Sequence, residues 1–273
     1  MINAQTKYVA IFGNPVAHSL SPQMHNAAFS HLGLNLAYLA FRVDDAGEAA
    51  SAIRTLGFRG ASITVPHKEK IIPHLDEVDE TGHSIGAVNT ILSREGRLCG
   101  SNTDWLGVVQ ALEQMTELGG KRALILGAGG AARSAIYGLQ RKDSQVFVMN
   151  RDEARGQKLA AEMNCGFVPW QAWDHLRVDL VVNATTVGMS ATQDQSLVPT
   201  HWLRDGMVIL DMIYRPLKTR LLQEAQEAGC GCLSGLDMLF FQGVAQFEIW
   251  TGKAAPVEVM RRALEEAAGE EAL

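Results

Sequence analysis

ALILGAGGAARSAI, residues 123–136, carries three signals in succession. Residues 123–126 are a short apolar run, as expected of a buried parallel strand. Gly127, Gly129 and Gly130 follow at once, interleaved with Ala128 and Ala131, and Ala132 stands where a small residue allows close packing. From Ala131 the apolar spacing turns helical. A strand, a glycine turn and a helix start in that order form a pyrophosphate cradle. Backbone N–H groups converge there, and only glycine lets the chain come so close. Glycine-rich turns also occur as plain structure, but a second strand at residues 145–149 arrives on schedule and favours a dinucleotide site.

The residues after that second strand bear on which dinucleotide. An NAD site usually carries Asp or Glu about twenty residues past the glycines, for the ribose 2′-hydroxyl. This chain has Asn150 and Arg151 there, with Arg155 one helical turn on. A guanidinium can hold a 2′-phosphate through two parallel bonds, so the residue types favour NADP. Asp152 either turns inward and repels that phosphate or caps the next helix in solvent. Strands at residues 178–182 and 208–210 lead into Asn183-Ala184-Thr185-Thr186-Val187-Gly188-Met189 and Asp211-Met212-Ile213-Tyr214. In a doubly wound sheet such strand ends line the ligand crevice.

With 273 residues the chain is long enough for two domains. It is 47% hydrophobic and 20% charged, and no run approaches the ~18 apolar residues of a membrane span. The opening MINAQTKYVAIFGNP has no basic region ahead of an apolar run, so no export signal and a cytoplasmic location are expected. A net charge of −6 argues against nucleic-acid binding and means that an anionic cofactor needs locally placed cations. Cys230 and Cys232 have one residue between them, which suits neither a zinc site nor a redox pair. Reduced, buried thiols and no metal are the expectation.

Ahead of the glycine turn, residues 8–12 read as a strand. His18-Ser19-Leu20-Ser21-Pro22 then opens a helix through Met24, Ala27, Ala28 and Leu32. Pro22 suits the first helical position and Ser21 the N-cap. The two hydroxyls either cap the helix or hold a substrate carboxylate at its positive end. Residues 36–43 alternate as a strand, 46–56 as a helix, and 60–63 as a strand running into the loop that carries Lys68. A loop lysine is either a solvated cation or a functional one. Residues 76–85 read as a short helix, and 87–92 with 97–101 as a hairpin around Ser93-Arg94-Glu95-Gly96. Asn102-Thr103-Asp104 opens an amphipathic helix through Leu106, Val109, Leu112 and Met115, with Asp104 in a first turn that favours carboxylates in any case. Residues 229–235 hold a last strand, and 236–250 and 256–268 are helical. The expected architecture is α/β in two domains. Residues 1–104 plus 238–273 form an N-terminal α/β substrate domain, and residues 105–237 a doubly wound Rossmann domain. No exposed apolar surface is evident, which leaves monomer and homodimer open.

Together these segments resemble the shikimate dehydrogenase family over residues 13–252. The likeness rests on Ser19-Leu20-Ser21-Pro22, Thr64-Val65-Pro66-His67-Lys68, Ala87-Val88-Asn89-Thr90 and Gly100-Ser101-Asn102-Thr103-Asp104. It continues through residues 127–133, Asn150-Arg151, residues 183–189, and Gly235-Leu236-Asp237-Met238-Leu239 with Gln242 and Phe247. The resemblance implies reversible reduction of 3-dehydroshikimate to shikimate by NADPH, a step toward the aromatic amino acids. It implies that Ser19 and Ser21 hold the substrate carboxylate and that Thr64, Asn89 and Gln242 hold ring hydroxyls, with Tyr214 near the substrate. Lys68 and Asp104 become the catalytic pair. Asn150, Arg151 and Arg155 surround the 2′-phosphate, and Gly127, Ala128, Gly129, Gly130, Ala131, Thr185, Met189 and Gly235 contribute to the cofactor site. Two positions depart from the family: Ser62, where it usually has asparagine, and Asp152, where it frequently has threonine. A broader quinate/shikimate dehydrogenase using NAD or NADP would share nearly every motif. A catalytically silent NADP- or shikimate-binding regulator would have no need of Lys68 and Asp104 together.

Overall fold

The computed structural model describes residues 2–270; positions 1 and 271–273, at the outer ends of the first expected domain, lie outside the described residues. Two compact units emerge, residues 2–103 with 242–270, and residues 104–241.

The second unit contains the glycine turn. Its elements are α4 (Asp104–Glu113), β7 (Arg122–Leu126), α5 (Gly130–Gln140), β8 (Gln145–Met149), α6 (Glu153–Glu162), β9 (Gly166–Phe167), β10 (Leu180–Asn183), β11 (Val208–Asp211), α7 (Arg220–Glu227), β12 (Gly231–Ser234) and the start of α8 (Gly235–Thr251). The strands run β12-β11-β10-β7-β8-β9, all parallel. That is the doubly wound Rossmann order, with the first strand of the unit at the switch point. Side-chain alternation explains why β7 is apolar from Ala123 to Leu126, after Arg122 at its start. Ala123 and Ile125 enter one core with Ala132, Ile136 and Leu139 of α5, while Leu124 and Leu126 enter the other with Trp173, Trp202 and Leu221. A strand covered on both faces has no position for a polar residue.

The first unit comprises β1 (Lys7–Gly13), α1 (Ser21–His31), β2 (Leu36–Arg42), α2 (Ala46–Thr55), β3 (Gly60–Ile63), β4 (Glu77–Val78), α3 (Glu80–Ile85), β5 (Thr90–Arg94) and β6 (Arg97–Ser101). To these are added the rest of α8 and α9 (Val257–Glu270). The sheet order is β2-β1-β3-β5-β6-β4. The first three strands are parallel, and β5 is antiparallel to both its neighbours. Ala10, Phe12, Ala61, Ile63 and Ile91 pack with α2 residues Ala49, Ala50 and Ile53 on one face. Aromatic residues of α1, β2 and α8 gather in the same unit: His25 stacks on Tyr38 at 4.7 Å and lies 5.2 Å from Trp250, and Phe29 lies 5.6 Å from Phe247.

The structure departs from the sequence reading at four places. Ser21 is already helical, and the N-cap is Leu20, in the αR region with no side-chain cap bond. The nearest substitute is a long contact, Ser21 N–H to Ser19 Oγ at 3.3 Å. The expected helix over residues 76–85 is strand β4 followed by the shorter α3. Asp76 accepts Leu98 N–H at 2.7 Å, drawing residues 77–78 alongside β6, and Asp79 caps α3 through Gly82 N–H at 2.6 Å. The hairpin loop is only Glu95-Gly96, both at positive φ (51° and 81°), and its first strand begins at Thr90, so that residues 87–89 form a loop. Finally, apolar surface is exposed on the edge strand β2, where Leu39 is 44% and Phe41 38% accessible. Beside them the Asn26 amide occupies the strand edge, accepting Tyr38 N–H (2.7 Å) and donating to the Tyr38 carbonyl (2.9 Å).

Gly60 marks the tightest approach of α8 to this sheet. A Cβ there would overlap the Trp250 indole and sit 2.6 Å from the Ile91 carbonyl, the acceptor of the Trp250 Nε1–H bond. Because one neighbour is backbone, relaxation is limited. Gly60→Ala is expected to destabilise the protein by about 3 kcal/mol, the upper end for overpacking, read as a lower denaturation midpoint.

Candidate functional site

In the first unit the sequence-predicted polar residues lie on loops at one end of the sheet. Gly13 ends β1, and a Cβ on it would overlap Thr64 Cγ2 just past β3. The two loops are stitched together by Asn14 N–H to the Val65 carbonyl (2.9 Å) and Thr64 N–H to the Phe12 carbonyl (3.0 Å). Ser19 follows on the β1 loop and Ser21 at the start of α1, both buried. Lys68 is half-buried on the β3 loop. Its carbonyl accepts Val88 N–H at 2.8 Å, and the neighbouring residue, Asn89, accepts Ile63 N–H on its carbonyl at 2.8 Å. His67 anchors the same loop, with its ring buried and Nε2 2.9 Å from the Val43 carbonyl.

Asn89 is the centre of this half. Its Oδ1 accepts Thr103 N–H and Thr90 O–H, both at 2.7 Å. Its Nδ2 therefore faces Thr103 Oγ1 (3.0 Å) and Gln242 Oε1 (3.4 Å). Gln242 reaches it from α8, whose next residue, Gly243, has no side chain to overlap the Met24 methyl on α1. Asp104, buried, follows Thr103 directly. Lys68 and the Thr103-Asp104 segment are thus tied to adjacent residues, Val88 and Asn89.

The second unit places its candidates at the carboxyl ends of its strands. Gly127 adopts φ +112°, and a Cβ on it would crowd the Ala184 carbonyl and Thr185 Cγ2, each at 3.1 Å. Gly129 is the N-cap of α5 and makes no side-chain cap bond, so Gly130 and Ala131 begin a helix without a side-chain cap. Arg155 lies over this turn, its Nε donating to the Ala128 carbonyl at 3.0 Å. Asp152 accepts Arg155 N–H at 3.1 Å and is the N-cap of α6, which settles its two readings in favour of capping. Asn150 Nδ2 bonds the Asp152 carbonyl at 2.7 Å, and Arg151 is exposed. Thr185 folds its hydroxyl onto Asn183 Oδ1 at 2.8 Å, within the loop that continues to half-buried Met189. Tyr214, also half-buried, lies on the loop after β11, and Gly235 N–H bonds the Ile213 carbonyl of that loop at 3.0 Å.

Sequence reasoning missed the polar groups behind these side chains. Asp211 is fully buried and accepts Thr219 O–H (2.6 Å), Asn183 Nδ2 (3.0 Å) and Ile213 N–H (3.2 Å); burial raises its pKa to about 6. Tyr38, Ser62, Thr90 and Gln246 form a similar buried set in the first unit. Asp211 and Tyr38 stand in otherwise apolar segments, and Ser62 had the further signal of departing from the family pattern.

A Rossmann sheet with an open glycine turn, in one chain with a second α/β unit bearing hydroxyl, amide and ammonium groups, defines a two-unit α/β dehydrogenase. Family comparison specifies it further. Residues 11–91 match the shikimate dehydrogenase substrate-binding domain, 110–212 the shikimate/quinate 5-dehydrogenase family, and 235–265 the shikimate 5′-dehydrogenase C-terminal domain. The chain is 45% identical to the shikimate dehydrogenase (NADP(+)) of Moorella thermoacetica, over 98% of this chain and 96% of that one. The crystal structure of shikimate dehydrogenase from Aquifex aeolicus superposes with a TM-score of 0.91 at 39% identity, covering 97% of this chain and 99% of that one. The Thermus thermophilus enzyme, solved with NADP(H) and shikimate, gives 0.88 at 39% identity, covering 96% and 99%. The chain belongs to the shikimate dehydrogenase family.

Proposed function

We propose that this protein is an NADP-dependent shikimate dehydrogenase, interconverting 3-dehydroshikimate and shikimate on the route to chorismate and the aromatic amino acids. The observation that carries the reading is the fastening of the Lys68 loop and the Thr103-Asp104 segment to Val88 and Asn89. The Lys68 carbonyl and the N–H of Thr103, the residue before Asp104, are each bonded to this dipeptide. Residues 2–103 with 242–270 carry the substrate-holding candidates and Lys68, and residues 104–241 carry the cofactor candidates together with Asp104 and Tyr214. The hydride comes from bound NADPH and returns to NADP+ in reverse. Lys68 neutralises and protonates the oxygen on which negative charge develops. Asp104, ionised, orients the ammonium and the reacting hydroxyl and favours the charged lysine. Ser19 and Ser21, freed from capping, bind the carboxylate near the positive end of α1. Thr64, Asn89 and Gln242 hold ring hydroxyls, with Tyr214 near the substrate.

The cofactor residues fit a phosphorylated dinucleotide. Ala128, Gly129, Gly130 and Ala131 would offer backbone N–H groups to the pyrophosphate, Gly127, whose own N–H bonds the Met149 carbonyl, would let it come close, and Thr185, Met189 and Gly235 would contribute to the cofactor site. Asn150, Arg151 and Arg155 take the 2′-phosphate, and Asp152, committed to its cap, no longer opposes them. A charge-assisted bond is worth about 1.5–3 kcal/mol. Arg151→Ala is therefore expected to raise KM for NADP roughly 10- to 100-fold while leaving KM for NAD unchanged.

We assign the protein to the cytoplasm, on small-molecule substrates alone, as a monomer or homodimer. All four cysteines are free thiols, and burial pushes Cys165 up to about 11, as suits a reducing compartment. Among the described residues no helix is long and apolar enough to cross a membrane, and no cluster of three or more His, Cys, Asp or Glu could hold a metal ion. The deciding experiment follows NADPH absorbance with shikimate or quinate, and with NADP or NAD. Fast turnover of shikimate with NADP is the expected result. A flat trace at high enzyme concentration overturns the reading in favour of a silent binder.

A further inference from the structure

Through the interior of the first unit runs a chain of hydrogen bonds with a single direction. Ser62 O–H donates to Gln246 Oε1 (2.9 Å), which leaves Ser62 Oγ to accept from Tyr38 O–H (2.6 Å). Gln246 Nε2 donates to Thr90 Oγ1 (2.9 Å) and to the Asn89 carbonyl (3.2 Å). Thr90 in turn donates to Asn89 Oδ1 (2.7 Å), and Asn89 Nδ2 faces Gln242 Oε1 (3.4 Å). Every side chain in the series is at most 6% exposed. Reversing the Asn89 amide would set its Nδ2 against Thr103 N–H, and reversing Gln246 would set its Oε1 against the Asn89 carbonyl, both in buried positions, so each amide keeps one orientation.

We propose that Ser62 and Gln246 act as one unit, replacing the single asparagine the family usually carries at position 62, and that Gln246 is thereby a positioning residue for substrate. Asparagine has two more heavy atoms than serine. Ser62 Oγ already lies in hydrogen-bond contact with both Tyr38 and Gln246, so those atoms would meet the Tyr38 hydroxyl or the Gln246 carboxamide. The amide is reached instead from α8, one helical turn beyond Gln242 and on the same face. From there it fixes the Thr90 hydroxyl, which fixes Asn89, which faces Gln242. Gln246, through Thr90, thus acts together with Thr103 N–H on the direction of two groups that hold ring hydroxyls. The inference rests on the shikimate dehydrogenase reading above.

The test is a double-mutant cycle in the full-length protein, with kinetics and thermal midpoints for Gln246→Ala, Ser62→Asn and the double variant. Gln246→Ala and Ser62→Asn are each expected to raise KM for shikimate about 10-fold, with KM for NADP unchanged. The double variant is expected to return KM for shikimate close to the parent value, because the asparagine amide then fills the space left by Gln246. Gln246→Met, which keeps the volume and loses the bonds, covers the case in which the alanine variant does not fold; it too should raise KM for shikimate. A KM for shikimate at the parent value in a folded Gln246 variant overturns the proposal, as does a double variant as impaired as the two singles combined. Either result in an active parent leaves the assigned reaction standing. A parent inactive on shikimate overturns both.

Discussion

Lys68→Ala is expected to lower kcat for shikimate oxidation by roughly 10²–10⁴-fold, the range for loss of a positioned general acid–base group. That corresponds to about 3–5 kcal/mol of barrier. The effect should fall on chemistry alone. Lys68 is held through its backbone carbonyl by Val88 N–H, and its loop by the buried His67 ring, and truncating the side chain leaves both of those bonds in place. Nor does it touch the glycine turn, Arg151 or Arg155 in the other unit. The thermal midpoint and NADP affinity, measured by calorimetry, should match the parent. A kcat within a factor of three of the parent, an arbitrary but strict limit against the roughly 10²-fold minimum, would remove Lys68 from the mechanism.

The second large effect concerns stability. His25 is wholly buried among Tyr38, Phe29, Phe247 and Trp250, neither ring nitrogen has a hydrogen-bond partner, and burial lowers its pKa to about 3. In the unfolded chain the imidazole takes a proton near 6.5, its ordinary value. Between those values the unfolded state binds more protons, so stability is lost as pH falls below about 6.5. At pH 5 the expected loss is about 2 kcal/mol, and it deepens toward pH 3. Replacing His25 with Phe or Leu removes the titration, and the slope of stability against pH over this range should flatten whatever the substitution does at neutral pH. Asp211 works in the opposite sense: raised from 3.8 to about 6, its carboxyl favours the folded state at low pH and loses that contribution as pH rises through the window. The His25 variants should therefore hold their stability down to pH 5, or gain slightly. Urea midpoints at pH 7, 6 and 5 decide it; a variant as acid-sensitive as the parent would show that the imidazole is not responsible.

The Rossmann half was legible because its signals are contiguous. Strand, turn and helix at residues 123–136 are written by period and glycine placement, which act over a few residues. The site residues were legible only as a series of short motifs, each ambiguous by itself. Ser21 shows the difficulty: serine before proline is a sound capping pattern, yet the N-cap is Leu20, already in the αR region after a turn in which Ser19 N–H bonds the Val16 carbonyl. Asp152 was equally undecidable until Arg155 N–H was seen on its carboxylate.

By itself, then, the sequence determined the two α/β units, the parallel dinucleotide sheet and the residue types available for catalysis. Those follow from local propensity and apolar periodicity, which the chain carries wherever it is read. Which polar groups face one another was decided only by the tertiary structure. Ser62 meets Gln246 across 184 positions and Asn89 meets Gln242 across 153. A hydrogen bond depends on distance and direction in space, and neither is encoded in the spacing of residues so far apart along the chain.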